Sequence, residues 1–304
     1  MKIVIAGGTG FLGRPLASTL VADGHEVVHL TRGSAASGAD GARLVTWTPN
    51  GGSGPWAEAV EGAGAVVNLA GESIAGKRWS AAQKQQILES RVFATRSLAE
   101  AIRGAAVPPP VFVSGSAVGY YGPRGDDIVT EDTTPGSDFL AGVCVQWEQE
   151  AQRAEGPHTR VVCVRTGLVL ERDGGALPPM LLPFKMGVGG PVGSGRQYWP
   201  WIHRVDWVAL VRWVIRTGAV TGPVNATAPT PSTNADFAGA LGRALHRPAL
   251  LPTPAFALRL LLGDMADALV LSGQRAIPAK AERLGFTFTH PHLEEAFASI
   301  FRRD

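Results

Sequence analysis

The side chains best suited to chemistry in this sequence are hydroxyl groups that follow one short apolar run. The run at 111–113 leads into Ser114 and Ser116, and Tyr120 comes shortly afterwards. At the carboxyl end of a central strand, such hydroxyls could orient a substrate carbonyl or hydroxyl group. The alternative is a Ser/Gly-rich turn with no chemical role. His203 is a second acid–base candidate, although a lone histidine beside apolar residues is more often structural.

The glycine spacing near the N-terminus indicates what those hydroxyls could face. An apolar run at 2–6 leads into Gly7, Gly10 and Gly13, and apolar residues at helical spacing follow over 14–22. Strand, glycine turn and helix form the context that a dinucleotide-binding fingerprint requires. The glycines allow a tight turn, close approach to a pyrophosphate and packing of the helix, whose N-terminus offers free N–H groups. The alternative is a βα turn that binds nothing.

The charge at the end of the second expected strand bears on which dinucleotide binds. Sites that prefer NAD usually carry an acidic residue there, whereas this strand (26–30) is followed by Arg32, with no carboxylate before Asp40. An arginine can pair with a ribose 2′-phosphate, which a carboxylate would repel. The sequence therefore predicts NADP(H) as the cofactor, unless Arg32 is only a solvated loop residue.

Alternating strands and helices must position these groups. The apolar runs at 65–69, 160–170 and 222–227 are typical of parallel strands buried on both faces. We therefore expect an α/β fold, a Rossmann-type doubly wound parallel sheet with a smaller C-terminal α/β substrate lobe. The expected domains are 1–170, with returns of the chain around 203–228, and the lobe 171–304. In that lobe the pattern predicts helices over 206–217, capped by Asp206, and over 259–271, and a short strand over 286–289.

Composition narrows the class of protein. A formal charge of +2 over 304 residues gives no reason to expect nucleic acid or an anionic membrane as a partner. The richest apolar run, 256–262, is too short to span a membrane, and the sequence begins with a strand and shows no secretory signal. Cys144 and Cys163, without a CxxC pattern, favour a reducing compartment and no metal site. We expect a cytoplasmic monomer or homodimer with a small-molecule substrate.

Several motifs occur in a characteristic order, namely the glycine turn 7–13, Asn68-Leu69-Ala70-Gly71, Ser114-Gly115-Ser116 and Trp201-Ile202-His203 with Asp206. This order resembles the extended, epimerase-like branch of the short-chain dehydrogenase/reductases. A narrower resemblance is to a nucleoside-diphosphate-sugar epimerase family with a short extra C-terminal domain, here at about 248–297. It is carried by Lys77-Arg78-Trp79, Glu89-Ser90-Arg91, the run 116–122, Asp138-Phe139-Leu140, Trp147-Glu148, the run 273–278 and the run 284–288.

The resemblance implies roles for individual positions. It places the pyrophosphate on the glycine turn, the 2′-phosphate on Arg32, the adenosine along the end of the fourth strand, and Ser116 at the position of the family's catalytic serine. The implied cofactor-binding residues are Gly7, Thr9, Gly10, Phe11, Leu12, Gly13, Arg32, Asn68, Leu69, Ala70, Gly71, Ser90 or Arg91, Ser114, Thr166, Gly167 and Leu168.

One departure from the family pattern divides the functional hypotheses. The superfamily uses a tyrosine as proton donor and a lysine four residues later, which lowers the pKa of the phenol. This chain has Leu140 and Cys144 there. Substitutes for the pair are Tyr120 or Tyr121 for the phenol, and Lys185 or His203 for the positive charge.

The retained cleft favours an NADP(H)-dependent oxidoreductase or epimerase acting on a small polar substrate, with nucleotide sugars among the candidates. The missing pair favours a non-catalytic NADP(H)-binding sensor or interaction protein. A cell-division or other protein-interaction role on the same fold is a third hypothesis.

Overall fold

A seven-stranded, all-parallel sheet forms the centre of the computed structural model, which describes residues 1–33 and 41–302. The strands are β1 (Lys2–Ala6), β2 (Glu26–Thr31), β3 (Arg43–Thr46), β4 (Ala65–Asn68), β5 (Val111–Ala117), β6 (Ile128–Val129), β7 (Arg160–Thr166), β8 (Leu168–Leu170), β9 (Trp201–His203), β10 (Gly222–Ala226) and β11 (Arg275–Ala276). Across the main sheet the order is β3, β2, β1, β4, β5, β7, β10. The chain therefore reverses its direction of winding between β1 and β4, which is where open α/β sheets bind ligands.

Ten α-helices accompany the strands in the described part of the chain. They are α1 (Gly13–Ala22), α2 (Ala81–Gly104), α3 (Phe139–Gln152), α4 (Leu177–Lys185), α5 (Arg204–Arg216), α6 (Asn234–Leu245), α7 (Ala255–Leu262), α8 (Asp264–Ala266), α9 (Ala279–Arg283) and α10 (Leu293–Phe301). Single 3₁₀ turns occupy Pro55–Ala59 and Val118–Tyr121, and a π turn occupies Asp267–Leu271. None of the helices within residues 1–33 and 41–302 is long and apolar enough to cross a membrane.

Both faces of the main sheet are buried, because successive side chains of each strand point to opposite sides. On one face Ile3 and Ile5 pack with Leu16 of α1 and Trp207 of α5. On the other face the alternate residues of the same strands join side chains of α2 and α3, including Val4, Ala6, Leu98, Phe112 and Ala151. Helices therefore cover the sheet on both sides, and the expected Rossmann-type fold is confirmed.

A separate apolar cluster lies beyond the main sheet. Leu170 and Trp201 pack there with Phe237 of α6 and Phe297 of α10. The short parallel pair of β8 with β9 belongs to this part of the molecule, whereas β6 pairs with β11 beside a smaller apolar cluster of Val118, Tyr121, Val129 and Ala276. β10 returns to the edge of the main sheet beside β7. The division into domains at 170 remains a prediction.

The structure differs from the expected elements at four places. The apolar run 160–170 is two strands, because at Gly167 the chain leaves the main sheet and β8 pairs with β9 instead. Helix α5 begins at Arg204, so its cap is His203 and Asp206 lies in its first turn. Residues 286–289 form no strand, and 259–271 is broken into three short helical pieces at Gly263 and Asp267.

Candidate functional site

The turn after β1 contains two glycines that cannot be replaced without a clash, Gly7 and Gly13, and a third, Gly10, that borders open space. Gly7 has φ +79°, and a Cβ there would lie 2.7 Å from the carbonyl carbon of Leu69. A Cβ on Gly13, at the start of α1, would overlap the carbonyl oxygen of Gly7. A Cβ on Gly10 would meet only that same oxygen, at 3.3 Å, so the remaining space around Gly10 is open. The turn thus leaves room for a ligand at the N-terminus of a helix.

The residues that follow β4 are fixed beside this turn. The amide of Leu69 donates to the carbonyl of Ala6 at 2.8 Å, which continues the pairing of β1 and β4. The buried Asn68 accepts a hydrogen bond from the amide of Ala70 at 3.1 Å and donates to the hydroxyl of Thr95 at 2.8 Å. Because each end of its side-chain amide makes a hydrogen bond within the chain, Asn68 fixes the path of the backbone here.

Ser90 and Arg91 face this backbone from α2. The hydroxyl of Ser90 accepts from the amide of Glu72 at 3.0 Å, and Arg91 donates to the carbonyl of Glu72 at 2.9 Å. The guanidinium of Arg91 also lies 5.2 Å from the ring centre of Trp147, and burial lowers its pKa. These contacts brace the segment beyond Gly71, so a role of either side chain at the cofactor would come in addition to this bracing.

Arg32 stands at the carboxyl end of β2 with its side chain exposed. The backbone beside it is fixed, because Thr31 accepts from the amide of Gly33 at 3.1 Å and Thr46 donates to the carbonyl of Gly33 at 3.0 Å. Within residues 1–33 and 41–302, no carboxylate forms an ion pair with Arg32. Asp40, the first carboxylate after it, lies outside the described residues. The guanidinium is therefore available to an anionic ligand.

The hydroxyls at the end of β5 differ in their surroundings. Ser114 is fully buried and donates to the carbonyl of the next residue, Gly115, at 3.1 Å. Ser116 is only 4% exposed and donates to the carboxylate of Glu148, on α3, at 2.6 Å. Since the hydroxyl proton is donated to Glu148, the Oγ atom of Ser116 can only accept further hydrogen bonds, through its lone pairs.

A buried arginine connects Ser116 to the two neighbouring tyrosines. Arg165, on β7, donates two hydrogen bonds of 2.8 Å to Glu148 and one of 3.0 Å to the hydroxyl of Tyr121. The Arg165 guanidinium carbon lies 3.5 Å from the ring centre of Tyr120. Bidentate pairing and stacking suit the flat guanidinium group, and they fix both partners.

Tyr121 is a structural residue in this arrangement. Its hydroxyl donates to Asn225, on β10, at 2.6 Å, and burial raises its pKa to about 12. The backbone amide of Asn225 donates to the carboxylate of Glu131 at 3.0 Å. Of the two tyrosines proposed from the sequence, Tyr120 is therefore the one whose hydroxyl is not tied into the interior.

Leu140 and Cys144, which stand where the resemblance implies a Tyr/Lys pair, lie near the same strand end. Leu140 is close to Gly119, where a Cβ would lie 3.4 Å from the Cβ of Leu140. Cys144 is buried, and burial raises the pKa of its thiol to about 12, so that it is neutral at pH 7. Lys185 is exposed at the end of α4. Neither Leu140 nor Cys144 can supply a proton or a positive charge there.

His203 occupies a structural position. Its Nδ1 accepts from the amide of Val205 at 3.1 Å, which caps α5, and its ring stacks on His290 at 3.9 Å. Burial, with the neighbouring His290 ring, lowers the pKa of His203 to about 4. Asp206 accepts from the amides of Thr289 and His290 at 2.7 and 2.8 Å, which holds the segment that carries the second ring. These contacts favour the structural interpretation of His203, and we leave it out of the proposed chemistry.

The chain between β7 and β8 passes the same edge of the sheet. Thr166 accepts from the indole N–H of Trp207 at 3.1 Å, and the amide of Leu168 donates to the carbonyl of Pro200 at 2.7 Å. A Cβ on Gly167 would lie 2.5 Å from the same Pro200 oxygen. Glycine is required at 167 for this crossing between sheets.

Phe11 joins the glycine turn to the second half of the chain. Cβ atoms built on Gly174 and Gly175 would lie 2.5 and 2.7 Å from the ring of Phe11. The guanidinium of Arg204 lies 5.2 Å from its ring centre and pairs with Glu171 at 3.2 Å. The loop after β8 therefore rests on the turn that follows β1.

The sequence analysis missed Glu148 and Arg165 as parts of the site. A signal was present, because Arg165 is a charged residue inside the run 161–170, which is otherwise uncharged. A charge in a buried strand needs a partner, although the sequence alone does not say that the partner is on α3. Within residues 1–33 and 41–302, no group of three or more His, Cys, Asp or Glu residues could hold a metal ion.

Comparison with known proteins identifies the family of this chain. Residues 3–226 match the model of the NAD-dependent epimerase/dehydratase family, and residues 253–300 match a C-terminal domain of unknown function, DUF1731. The chain is 38% identical to the human epimerase family protein SDR39U1, covering 99% of both chains. It is 39% identical to the Bacillus subtilis epimerase family protein YfhF, covering 99% of this chain and 98% of the relative.

Solved structures show the same relationship. The crystal structure of human SDR39U1 with NADPH superposes with a TM-score of 0.90 at 37% identity, covering 99% of both chains. UDP-N-acetylglucosamine 4-epimerase from Bacillus cereus superposes with a TM-score of 0.75 over 99% of this chain and 98% of that one, but at 17% identity it shows the fold alone. The resemblance expected from the motifs is confirmed, and the chain belongs to the NAD-dependent epimerase/dehydratase family.

Proposed function

We propose that this protein binds NADP(H) on the turn after β1, with Arg32 paired to the 2′-phosphate. The observation that carries the proposal is the exposed guanidinium of Arg32 at the end of β2, which pairs with no carboxylate among residues 1–33 and 41–302 and lies next to a glycine turn with open space at Gly10. A 2′-phosphate carries negative charge and three acceptor oxygens, which a free guanidinium can pair with bidentately. The human relative crystallised with NADPH supports the same choice of cofactor.

The residues present fit a bound dinucleotide. The tight contacts at Gly7 and Gly13 lie on the protein side of the turn, whereas Gly10 has its free side outward. Asn68 and Arg91 already hold the backbone from 69 to 72 beside the turn, so that a ligand would meet a fixed surface. Bound NADP(H) supplies hydride transfer to or from a carbon of the substrate.

We further propose that the protein is an oxidoreductase or epimerase-like enzyme acting on a small polar substrate, with nucleotide sugars among the candidates. Ser116 would accept a hydrogen bond from a substrate hydroxyl, because its own proton is donated to Glu148. Glu148 and Arg165 position Ser116, and Arg165 positions the ring of Tyr120. The lobe formed by 171–304 would close the other side of the cleft.

A second candidate is a non-catalytic NADP(H)-binding sensor, and a specific observation favours it. The two positions of the family's proton-donor pair hold a leucine and a buried, neutral thiol, Cys144. The hydroxyl of Tyr121 is committed to Asn225 and is raised in pKa to about 12, so it does not replace the missing donor. Only Tyr120 is left as a phenolic donor in this segment, which makes its hydroxyl the discriminating group.

Calorimetric titration of nucleotide-free protein with NADPH, NADP, NADH and NAD tests the proposal. We expect tight binding of the two phosphorylated forms and weak binding of the other two. Absence of binding by all four would overturn the cofactor assignment. With binding established, loss of NADPH absorbance with carbonyl compounds detects an oxidoreductase, and chromatographic detection of the epimer formed from a nucleotide sugar detects an epimerase, which regenerates its cofactor in each turnover. Neither signal is expected of a sensor, and Tyr120→Phe is the variant that removes the remaining phenol.

A further inference from the structure

The C-terminal segment 253–300, which matches the domain of unknown function, reaches the chain that follows β5. Its strand β11 pairs with β6. Gln274, which is 8% exposed, donates from its side chain to the carbonyl of Val118, two residues after Ser116. Ala276 packs in the same small apolar cluster as Val118. A segment that is distant in the sequence therefore lies beside the strand end that carries the hydroxyls.

Glu131 joins the C-terminal segment to the main sheet. It is 6% exposed, and one of its carboxylate oxygens accepts from the backbone amide of Asn225, on β10, at 3.0 Å. The other oxygen accepts from the backbone amide of Lys280, in the first turn of α9, at 3.1 Å. A buried carboxylate is costly unless it is hydrogen-bonded, so these two amides determine where the side chain of Glu131 lies.

The backbone of Glu131 also contacts Arg165. Its carbonyl accepts from Nη1 of Arg165 at 3.1 Å, and the hydroxyl of Tyr121 accepts from the same nitrogen at 3.0 Å. The other two nitrogens of the guanidinium, Nε and Nη2, each donate to Glu148 at 2.8 Å. Because all three nitrogens have acceptors in ordered parts of the chain, the orientation of the guanidinium depends on where those acceptors lie.

A second connection runs through Asn225. Its side-chain carbonyl accepts from the hydroxyl of Tyr121 at 2.6 Å, and its side-chain nitrogen donates to the carbonyl of Ile277 at 2.9 Å. Ile277 belongs to the C-terminal segment, and its own amide donates to the carbonyl of Val129 at 3.0 Å. Two short chains of hydrogen bonds, one through Glu131 and one through Asn225, therefore lead from the C-terminal segment to Arg165.

We propose that Glu131 is a positioning residue through which the C-terminal segment fixes the guanidinium of Arg165. Arg165 in turn holds Glu148, which accepts the hydrogen bond from Ser116. Its guanidinium also stacks on the ring of Tyr120, at 3.5 Å from the ring centre. Docking of the C-terminal segment thereby sets the orientation of Ser116 and Tyr120. This role rests on the proposed function, in which these two side chains meet the substrate.

Glu131→Gln tests this role with little change in shape. The side-chain nitrogen of glutamine is a donor, so it faces one of the two backbone N–H groups and that hydrogen bond is lost. The chain has three tyrosines, so isotope labelling of the tyrosine Cζ atom gives three NMR signals, and Tyr120→Phe identifies the one from Tyr120. We expect this signal to shift in Glu131→Gln, because the cation against the Tyr120 ring moves. Affinity for NADPH should change less than about twofold, because Glu131 contacts β10 and α9 and not the turn after β1.

Asp132→Asn is the matched control, because it makes the same chemical change in the next residue, whose side chain is exposed. Its Tyr120 signal should match that of the unaltered chain. Glu131→Asp is a second variant, since its side chain is one methylene shorter and does not reach both amides, and it should shift the signal as well. An unshifted Tyr120 signal in the folded Glu131 variants would overturn the proposal. Failure of both variants to show a cooperative urea transition would also overturn it, because Glu131 would then serve the fold alone.

Turnover distinguishes this proposal from the proposed function. Where the substrate assays detect activity, Glu131→Gln should lower kcat about tenfold or more and change the KM for NADPH less than about twofold. Equal kcat values for Glu131→Gln and the unaltered chain would contradict the positioning role. If the unaltered chain turns over none of the substrates, the proposed enzyme function fails, and the Tyr120 signal decides whether Glu131 positions Arg165.

Discussion

The hydroxyl of Ser116 donates to the carboxylate of Glu148 at 2.6 Å, across the gap between β5 and α3. Glu148 accepts two hydrogen bonds from Arg165. The guanidinium of Arg165 in turn stacks on the ring of Tyr120. The orientation of Ser116 and that of Tyr120 are therefore set by the same buried ion pair. The resemblance implies a Tyr/Lys pair where this chain has Leu140 and Cys144, and this ion pair orients Ser116 and Tyr120 instead.

Removing Glu148 should be costly to the fold. Glu148→Ala leaves the guanidinium of Arg165, which is 3% exposed, without a counter-charge, and the loss of one partner of a buried ion pair costs about 3–5 kcal/mol. Urea unfolding measures this loss. Glu100→Ala is the control, since Glu100 pairs with Arg153 at an exposed site and should cost less than about 1 kcal/mol. Equal losses of unfolding free energy in the two variants would show that the buried ion pair contributes no more to stability than the exposed one.

Reversing the charge of Arg32 should change cofactor preference. Arg32→Glu replaces a phosphate partner by a carboxylate, so NADPH binding should weaken by about 10- to 100-fold or more while NADH binding changes little. Calorimetry on both nucleotides measures the ratio. Arg43→Glu changes an exposed arginine at the opposite end of the neighbouring strand and should leave the ratio unchanged. Equal weakening of both nucleotides by Arg32→Glu would contradict the 2′-phosphate assignment.

Filling the space at Gly10 should remove binding without unfolding the protein. In the free protein a Cβ on Gly10 contacts only the carbonyl oxygen of Gly7, at 3.3 Å. Gly10→Val should therefore fold, with a melting temperature close to that of the unaltered chain, and bind neither NADPH nor NADH. Gly142→Val, at an open position on α3, should bind both normally. Normal binding by Gly10→Val would place the cofactor elsewhere.

His203 should make stability fall as the pH is lowered. Its pKa is about 4 in the folded protein and about 6.5 when unfolded, so between these values the unfolded state holds the extra proton and stability rises with pH. From pH 7.5 to pH 5.5 this contributes a loss of about 1 kcal/mol. His203→Asn keeps a side chain that can cap the helix but does not titrate. Its loss of stability between pH 7.5 and pH 5.5 should therefore be about 1 kcal/mol smaller than that of the unaltered chain. The exposed His158→Asn is the control and should follow the unaltered chain, and identical pH profiles for all three would refute the assignment.

The sequence was sufficient for the parts of the structure that depend on local pattern. The apolar run, glycine turn and helix at the N-terminus lie as expected, and Ser80 caps α2 by accepting from the amide of Gln83 at 3.2 Å. Most of the seven parallel strands follow from runs that are apolar on both faces, whereas β3, RLVT, is only partly buried. Such features involve residues close together in the chain, and their periodicity is visible without knowing the fold.

The features that were not predicted depend on distant residues. Nothing near Gly167 in the sequence shows that Pro200 will lie against it, so the run 160–170 looked like a single strand. The sequence predicts Asp206 as the cap of α5, but its carboxylate accepts hydrogen bonds from the backbone amides of Thr289 and His290 instead. Those two amides are then not available for pairing with a neighbouring strand. In both cases a backbone group from elsewhere in the chain decides the local structure.

Phe11 limits how this family member can vary. Its ring fills the space that side chains at Gly174 and Gly175 would need. A larger residue at either position must displace the ring, which belongs to the turn on which we place the pyrophosphate. Substitutions in the loop after β8 would then appear in a mutational screen as cofactor-binding defects, although that loop is far from the glycine motif in the sequence. Positions 11, 174 and 175 should accordingly change together or not at all.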